Sequence, residues 1–454
     1  MEFQGKKITV AGAGISGVAA AGLLAGAGAA VTLYDGNAAL SLQEVRAKLG
    51  ADFNGSFVFG EFTGELLQNT EVLVISPGIP TDLPFVTELK RRGVPVIGEI
   101  ELAYLFAKGK LVAITGTNGK TTTTALTGAI MRTFYENVLV VGNIGTPYTA
   151  LVHTTDDMTV TVAEISSFQL ETVDSFRPDV AMILNITPDH LNRHHTMENY
   201  IAAKEAIAAN QTEQDACILN YEDERLRAFG AGLKSRVIYF SSARVLTEGL
   251  FLKDGAIYYA HEGSKEYIAK TEELNIIGRH NYENAMAAIA AGLVLGVPVP
   301  LIQQALCEFK AVEHRIEYVA TKRGVRYYND SKGTNPDAAI QGIRAMAGNT
   351  LLIAGGYDKG SDYDEWIEAF DGKVGYLVLI GQTKEKIAEA AEKHGLKNVV
   401  LCDSFSEAME FCTAHAKKGD AVLLSPACAS WGMFQNYEER GRIFKEYVNA
   451  LQEE

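Results

Sequence analysis

Gly116-Thr117-Asn118-Gly119-Lys120-Thr121-Thr122 follows an apolar run at residues 111–114 and precedes a helix-forming stretch at residues 123–132. The order is strand, glycine turn, helix start. Backbone N–H groups of such a turn, added to the free amides of a helix N-terminus, form a cradle for a polyphosphate. Lys120 adds a compact positive charge, and the Thr121 hydroxyl is placed to reach a Mg2+ bridging the outer phosphates. The stretch therefore reads as a nucleotide-triphosphate loop, shorter between its glycines than the commonest consensus. A plain turn with a solvated lysine has no need of Gly, Lys and two Thr in this order.

Downstream of the loop, strands expected at residues 138–141, 159–164 and 180–184 alternate with helices, which implies an α/β domain. Each strand ends in polar residues: Asn143 after the first, Glu164 and Ser166 at the second, Asn185 and His190 after the third. Three strands releasing such groups where the phosphate loop also opens describe one pocket. Glu164 is an oxygen ligand suited to Mg2+, and His190 is either a nitrogen ligand or a plain loop histidine. His194 and His195 read as surface residues. Lys204 lies on a helix expected from Tyr200, where it is either solvated or turned back to the pocket.

Upstream, a strand at residues 8–11 runs into Gly12-Ala13-Gly14-Ile15-Ser16-Gly17, then a helix to residue 27 and a strand at 30–34 ending in Asp35. This is a Rossmann-type βαβ fingerprint, which marks a nucleotide-diphosphate site. Asp35 fits three roles: acceptor from an NAD ribose, contact to another nucleoside, or loop cap. A further strand at residues 72–75 ends in the rigid turn Ser76-Pro77-Gly78-Ile79-Pro80. Residues 8–34 carry no charge, yet the glycines divide them into soluble βαβ elements, not a membrane span.

The 454-residue length suggests about three domains, and the 47% hydrophobic content fills several cores. Boundaries are expected after residue 97 and after residue 311, giving segments 1–97, 98–311 and 312–454. A formal charge of -15 argues against nucleic acid, and five cysteines with no C-x-x-C pair argue against disulfides or zinc. Residues 241–270 suggest a small antiparallel excursion. Gly278-Arg279-His280-Asn281-Tyr282-Glu283-Asn284 opens a long helix whose Asn281 and Asn284 share one face, to read a base or to cap. The last third, with a strand region from Glu313 and strands at 325–328, 350–354, 374–380, 398–401 and 421–424, forms another doubly wound domain.

Together the phosphate loop, E-I-S-S-F-Q-L at 164–170, N-I-T-P-D-H at 185–190, G-R-H-N-Y-E-N at 278–284 and H-R-I-E at 314–317 resemble the Mur ligases. N-D-S-K-G-T-N at 329–335 and L-S-P-A-C-A-S at 424–430 are similar to those members that add D-glutamate. The resemblance implies a three-domain α/β chain: an N-terminal Rossmann-like UDP-binding domain, a central P-loop-type ATPase domain, and a C-terminal Rossmann-like domain for the amino acid. It implies an ATP-dependent amide ligase that works through an acyl phosphate on UDP-N-acetylmuramoyl-L-alanine.

The residue roles implied by that resemblance are specific. ATP is assigned to Gly116, Thr117, Asn118, Gly119, Lys120, Thr121, Thr122, Asn281, Asn284, Arg315 and Asp330. Two Mg2+ are assigned to Thr121, Glu164, His190 and a carbamylated Lys204, with Lys120, Glu164, His190 and Lys204 as the catalytic set. The UDP substrate falls to Gly14, Ile15, Ser16, Asp35, Pro77, Gly78, Asn143, Ser166 and Gln169. D-Glutamate falls to Lys332, Thr334, Lys359, Ser430, Trp431 and Tyr437. A cytoplasmic monomer of peptidoglycan synthesis is expected, without membrane insertion or nucleic-acid partner. Gly333, Gly432 and Gly36 stand where larger residues are common in the family. A P-loop switch leaves the first glycine loop without a use, and a nicotinamide dehydrogenase leaves the second unexplained.

Overall fold

The computed structural model describes residues 2–50, 52–143, 145–310 and 312–452. The chain divides into two compact units, residues 1–273 with 283–307, and residues 274–282 with 308–454. The first unit holds two sheets and the second holds one.

The first sheet comprises β1 (Lys7–Ala11), β2 (Ala30–Asp35), β3 (Ser56–Phe59), β4 (Val72–Ile75) and β5 (Val96–Gly98), in the order β3-β2-β1-β4-β5. All neighbours are parallel, so each strand is followed by a crossover helix. The order reverses between β1 and β4, and the turns that leave these two strands meet there. A Cβ added to Gly12 would lie 2.6 Å from Ser76 Oγ, and one on Gly17 only 1.7 Å from the Gly12 carbonyl. Glycine at both positions lets strand, turn and helix close on one another.

The second sheet has nine strands: β6 (Lys110–Thr115), β7 (Val138–Gly142), β8 (Val160–Glu164), β9 (Val180–Ile183), β10 (Ala216–Asn220), β11 (Arg236–Ser241), β12 (Gly249–Lys253), β13 (Ala256–His261) and β14 (Ser264–Lys270). Their order is β14-β13-β12-β11-β10-β9-β6-β8-β7. β6 is central, between β8 and β9, and its neighbours are the strands that deliver Glu164 and Asn185. Sequence patterning did not expose β10 and β11, whose fully apolar or mixed faces lack a clean period of two. The antiparallel excursion is present, but β12 pairs parallel with β11, so the hairpins prolong the central sheet. The helix after the phosphate loop begins at Lys120, three residues earlier than its apolar pattern suggests, because three threonines at 122–124 are buried against the sheet.

The third sheet, in the second unit, comprises β15 (Glu317–Lys322), β16 (Val325–Asn329), β17 (Thr350–Gly355), β18 (Val374–Ile380), β19 (Val399–Leu401) and β20 (Ala421–Leu424). The order is β15-β16-β20-β17-β18-β19, with only the β15–β16 pair antiparallel. The strand expected from Glu313 starts only at Glu317, since His314 (φ 65°) and Ile316 (φ 46°) have left-handed backbone that interrupts extension. The five cysteines are free thiols. Among the described residues no helix is long and apolar enough to cross a membrane.

Candidate active site

The centre of the first unit is the carboxyl edge of β6. Gly116 (φ 154°) and Gly119 (φ 87°) shape the turn, and a Cβ on Gly119 would lie 2.3 Å from Asn284 Oδ1. Asn284 is therefore packed directly on the phosphate loop, a position that the shared helix face of Asn281 and Asn284 did not by itself specify. Asn118 is held at both ends: its N–H donates to Asn185 Oδ1 (2.9 Å) and its carbonyl accepts from Asn185 Nδ2 (3.1 Å). Thr117 Oγ1 lies 3.0 Å from Tyr200 Oη and accepts from the Thr187 N–H at 3.0 Å. The loop is thus tied to the segment following β9 before any ligand is considered.

Two lysines converge on it. Lys120 Nζ donates to the carbonyls of Gly116 (2.7 Å) and Thr117 (2.9 Å), and Lys204 Nζ donates to the Gly116 carbonyl (2.8 Å). Lys204 is 1% exposed and its ammonium lies over the Tyr200 ring at 4.7 Å. The solvated-face alternative for Lys204 fails because helix Met197–Glu205 turns this side chain inward, four residues after Tyr200. Burial, reinforced by the nearby Lys120 charge, pushes the Lys204 amine well below the usual lysine range. Tyr200 was quoted in the sequence without a role; its spacing from Lys204 was the available signal.

Glu164, at the end of β8, is buried; Oε1 accepts from Asn143 Nδ2 at 2.9 Å, and Oε2 has no hydrogen-bond partner. His190 opens helix Leu191–His194 with left-handed backbone (φ 53°), its ring packed edge-on to Phe168 at 4.9 Å. His194, expected at the surface, is buried: Nε2 lies 2.9 Å from Ser167 Oγ and Nδ1 3.3 Å from Glu171 Oε1. Burial lowers its pKa, which favours the neutral ring. His195 is exposed. Ser166 caps helix Ser167–Leu170, and Gln169 Oε1 accepts from Ser166 N–H and Oγ–H, both at 2.9 Å. The Gln169 side-chain oxygen is occupied within the chain.

In the first glycine loop, Asp35 acts as a loop cap. Its two oxygens accept the N–H groups of Ala13 (2.8 Å) and Asn37 (2.9 Å). Gly14 precedes helix Ile15–Gly26, a Cβ there would meet nothing within 4 Å, and Ile15 is 75% exposed. Ser16 lies in the same first turn. The turn through Pro77 and Gly78 closes with the Ile79 N–H on the Ser76 carbonyl (3.0 Å). Arg193 holds that turn to the central domain, donating to the Ile79 carbonyl (2.9 Å) and to Glu171 (2.7 Å).

In the second unit, Asn281 Nδ2 donates to the Ile277 carbonyl at 2.8 Å, tying the first turn of the helix to the segment before it. Asp330 is buried; Ser425 Oγ donates to it at 2.7 Å and Ile316 N–H at 3.3 Å, yet burial raises its pKa to about 7. Arg315 belongs to the same turn, with Nε buried and unpartnered. A Cβ on Gly333 would lie 2.5 Å from Asp330 Oδ2, so glycine there leaves room for the Asp330–Ser425 pair. Lys332 lies over the Tyr437 ring (5.4 Å) and Lys359 over Trp431 (5.4 Å). Thr334 follows with its N–H on the Lys332 carbonyl, and buried Ser430 accepts from Phe434 N–H through its carbonyl. Arg440, fully buried, joins the two loops: Nη2 donates to the Ser331 carbonyl (2.8 Å) and the Cys428 carbonyl (3.3 Å).

Family profiles match three stretches: "Mur ligase MurD-like, N-terminal domain" at residues 6–98, "Mur ligase middle domain" at 114–292, and "Mur ligase, glutamate ligase domain" at 314–428. A UDP-N-acetylmuramoylalanine--D-glutamate ligase from Lachnoclostridium phytofermentans is 59% identical over 100% of both chains. The ligase of the same name from Lachnospira eligens is 54% identical over 99% of this chain and 100% of its own. Among solved structures, a UDP-N-acetylmuramate-alanine ligase from Thermotoga maritima aligns with a TM-score of 0.60 at 19% identity, covering 98% of this chain and 99% of that one. A pseudomurein peptide ligase type C from Methanothermus fervidus aligns with a TM-score of 0.59 at 18% identity, covering 98% and 100%. These structures share the fold. The chain belongs to the Mur ligase family, in the branch of the UDP-N-acetylmuramoylalanine--D-glutamate ligases.

Proposed function

We propose that the chain is an ATP-dependent amide ligase that joins D-glutamate to UDP-N-acetylmuramoyl-L-alanine, in the cytoplasmic stage of peptidoglycan synthesis. The observation that carries this reading is the 59% identity, end to end, to a ligase of that name. The terminal carboxylate of the UDP-linked substrate attacks the γ-phosphorus of ATP, forming an acyl phosphate and releasing ADP. The D-glutamate amine then attacks the acyl carbon and expels phosphate, leaving the new amide.

Residues of the chain divide this work. The loop Gly116 to Thr122 takes the phosphates, with Lys120 leaving its two carbonyl partners for the phosphoryl oxygens, and Asn284 beside the loop faces the nucleoside. Arg315 and Asp330, in the second unit, are further nucleotide candidates. The residues present suit a hard cation: Glu164 Oε2 is buried without a partner, and hydroxyl, carboxylate and imidazole complete an oxygen-rich donor set. Thr121, Glu164, His190 and a carbamate on Lys204 would hold two Mg2+, which neutralise charge on the transferring phosphoryl group. Burial beside Lys120 lowers the pKa of the Lys204 amine, which favours the uncharged form that adds CO2 to give that carbamate.

The first glycine loop, from Gly14 to Ser16 with Pro77 and Gly78, takes the UDP moiety, and Asn143 and Ser166 lie on the way to the reacting carboxylate. Lys332, Lys359, Thr334, Ser430, Trp431 and Tyr437 take D-glutamate, whose two carboxylates call for local cations in an acidic chain. The chain is proposed to act as a monomer, which sedimentation tests. Phosphate release from ATP, measured with both substrates, with each omitted and with L-glutamate substituted, tests the whole reading. Release that requires both substrates and the D-isomer is expected; release without them would leave a nucleotide hydrolase.

A further inference from the structure

Helix Leu191–His194 is a single turn, and it is held from two sides. His190 opens it, and the His190 carbonyl accepts from the N–H groups of Arg193 (2.9 Å) and His194 (3.1 Å). The side chains of His190 and Arg193 also meet on one ring. His190 packs edge-on to Phe168 at 4.9 Å, and the Arg193 guanidinium lies over the same ring at 5.0 Å. What holds Arg193 therefore reaches His190 by two routes, the shared turn and the shared ring.

The far end of Arg193 grips the first sheet. Nη2 donates to the Ile79 carbonyl (2.9 Å) and to Glu171 Oε2 (2.7 Å). Ile79 closes the turn that begins at Ser76, and its Cδ1 lies 3.4 Å from where a Cβ on Gly12 would sit, so it stands against the first glycine loop as well. Glu171 is itself fixed to the short helix, with Oε1 3.3 Å from His194 Nδ1. The Arg193 and Glu171 side chains are 13% and 14% exposed, which shields the pair from solvent. A second contact between the two segments, His195 Nε2 to Asp82 Oδ2 at 3.4 Å, is exposed on both sides and contributes little. A guanidinium can stack on a ring and donate in its own plane at once, which an ammonium cannot.

We propose that Arg193 is a positioning residue, a strut that fixes the spacing between the turn at Pro77 and Gly78 and the His190 side chain. A substrate anchored at its diphosphate end then presents its distant carboxylate to the metal side at one set distance. The inference rests on the proposed roles of that turn and of His190. Removing the strut takes a donor from the turn and the stacked cation from Phe168, so two chemically different ligands, the UDP-linked substrate and the divalent cation, should lose affinity together. The D-glutamate candidates lie in the second unit and make no contact with Arg193 among the described interactions. Loss at the first two ligands without the third distinguishes a strut from a general loss of stability.

Binding measurements on the full chain test this. Arg193→Met keeps an unbranched side chain against Phe168 and removes both donors. It is expected to weaken binding of UDP-N-acetylmuramoyl-L-alanine, measured by calorimetry without metal, about tenfold, and to weaken Mn2+ binding in the presence of ADP, read by electron paramagnetic resonance, about fivefold. KM for D-glutamate is expected to stay within about twofold. Glu171→Gln leaves the Ile79 bond and the ring contact in place and is expected to keep both affinities within about threefold. If Arg193→Met does not fold, Arg193→Lys carries the same test with an expected loss of about threefold at both ligands. A loss at only one of the two ligands, no loss at either, or an equal loss that includes D-glutamate overturns the inference. A parent chain that neither binds nor ligates the UDP-linked substrate instead overturns the function on which it rests.

Discussion

Two glycine loops in the first unit share a frame, parallel strand to turn to helix, and differ in what surrounds the turn. The loop at Gly12 to Gly17 has no cation among its own residues; its nearby carboxylate, Asp35, is spent on the Ala13 and Asn37 amides. The loop at Gly116 to Lys120 has two lysine amino groups on one carbonyl and a buried carboxylate with an unpartnered oxygen alongside. A turn of backbone donors suffices to hold a diphosphate that does not react. Where negative charge moves during reaction, fixed charges are needed as well. In the proposed function the same fold element serves for anchorage in one place and for chemistry in the other, and charge, not backbone, separates them.

The sharpest way to break this contrast is Lys120→Ala. Ligation should fall by about 10³ or more, as for removal of a principal electrostatic group, while calorimetry shows binding of the UDP-linked substrate within about threefold. Equal loss of both would mean that the loops do not act separately. The converse variant, Gly17→Ala, puts a methyl 1.7 Å from the Gly12 carbonyl and should weaken UDP-substrate binding by about 10², a cost typical of severe overpacking, leaving ADP binding unaltered. Lys332→Ala extends the comparison to the second unit: KM for D-glutamate should rise about tenfold and KM for ATP little. Unchanged D-glutamate kinetics would remove Lys332 from the site.

The smallest effect concerns Asp330. Its folded pKa, raised to about 7, means that the folded state keeps a proton the unfolded chain gives up at ordinary carboxylate pH. Stability from this group is present below the unfolded value and is lost as pH rises through the window up to about 7. Asp330→Asn should flatten that decline, by at most about 1.4 kcal/mol per pH unit, measured by denaturant midpoints at pH 5 and pH 8. A slope identical to the parent would place the proton elsewhere.

Much of the placement of the candidate residues was legible because they sit where strands end, and strand ends are marked by abrupt changes from apolar to polar. Glu164 and Asn143 were expected at strand ends by that rule alone, and the structure brings their side chains together there. Lys204 stayed open between two faces and His194 was put on the wrong one, because helical position does not tell which face meets the protein until the neighbouring elements are known. Asp35 and Asn281 show a related limit: both side chains bond backbone groups of their own loops, and sequence alone does not show which backbone groups a polar side chain will meet.

The hairpins at the far end of the central sheet contribute no group to the proposed chemistry. β14 is nevertheless the strand on that border, and Lys265, Glu266 and Lys270 line it with charge of both signs. A nine-stranded sheet whose last strand were apolar would offer a template for another chain's backbone. The charged border makes such pairing costly, so a long central sheet is built without inviting polymerisation along its edge.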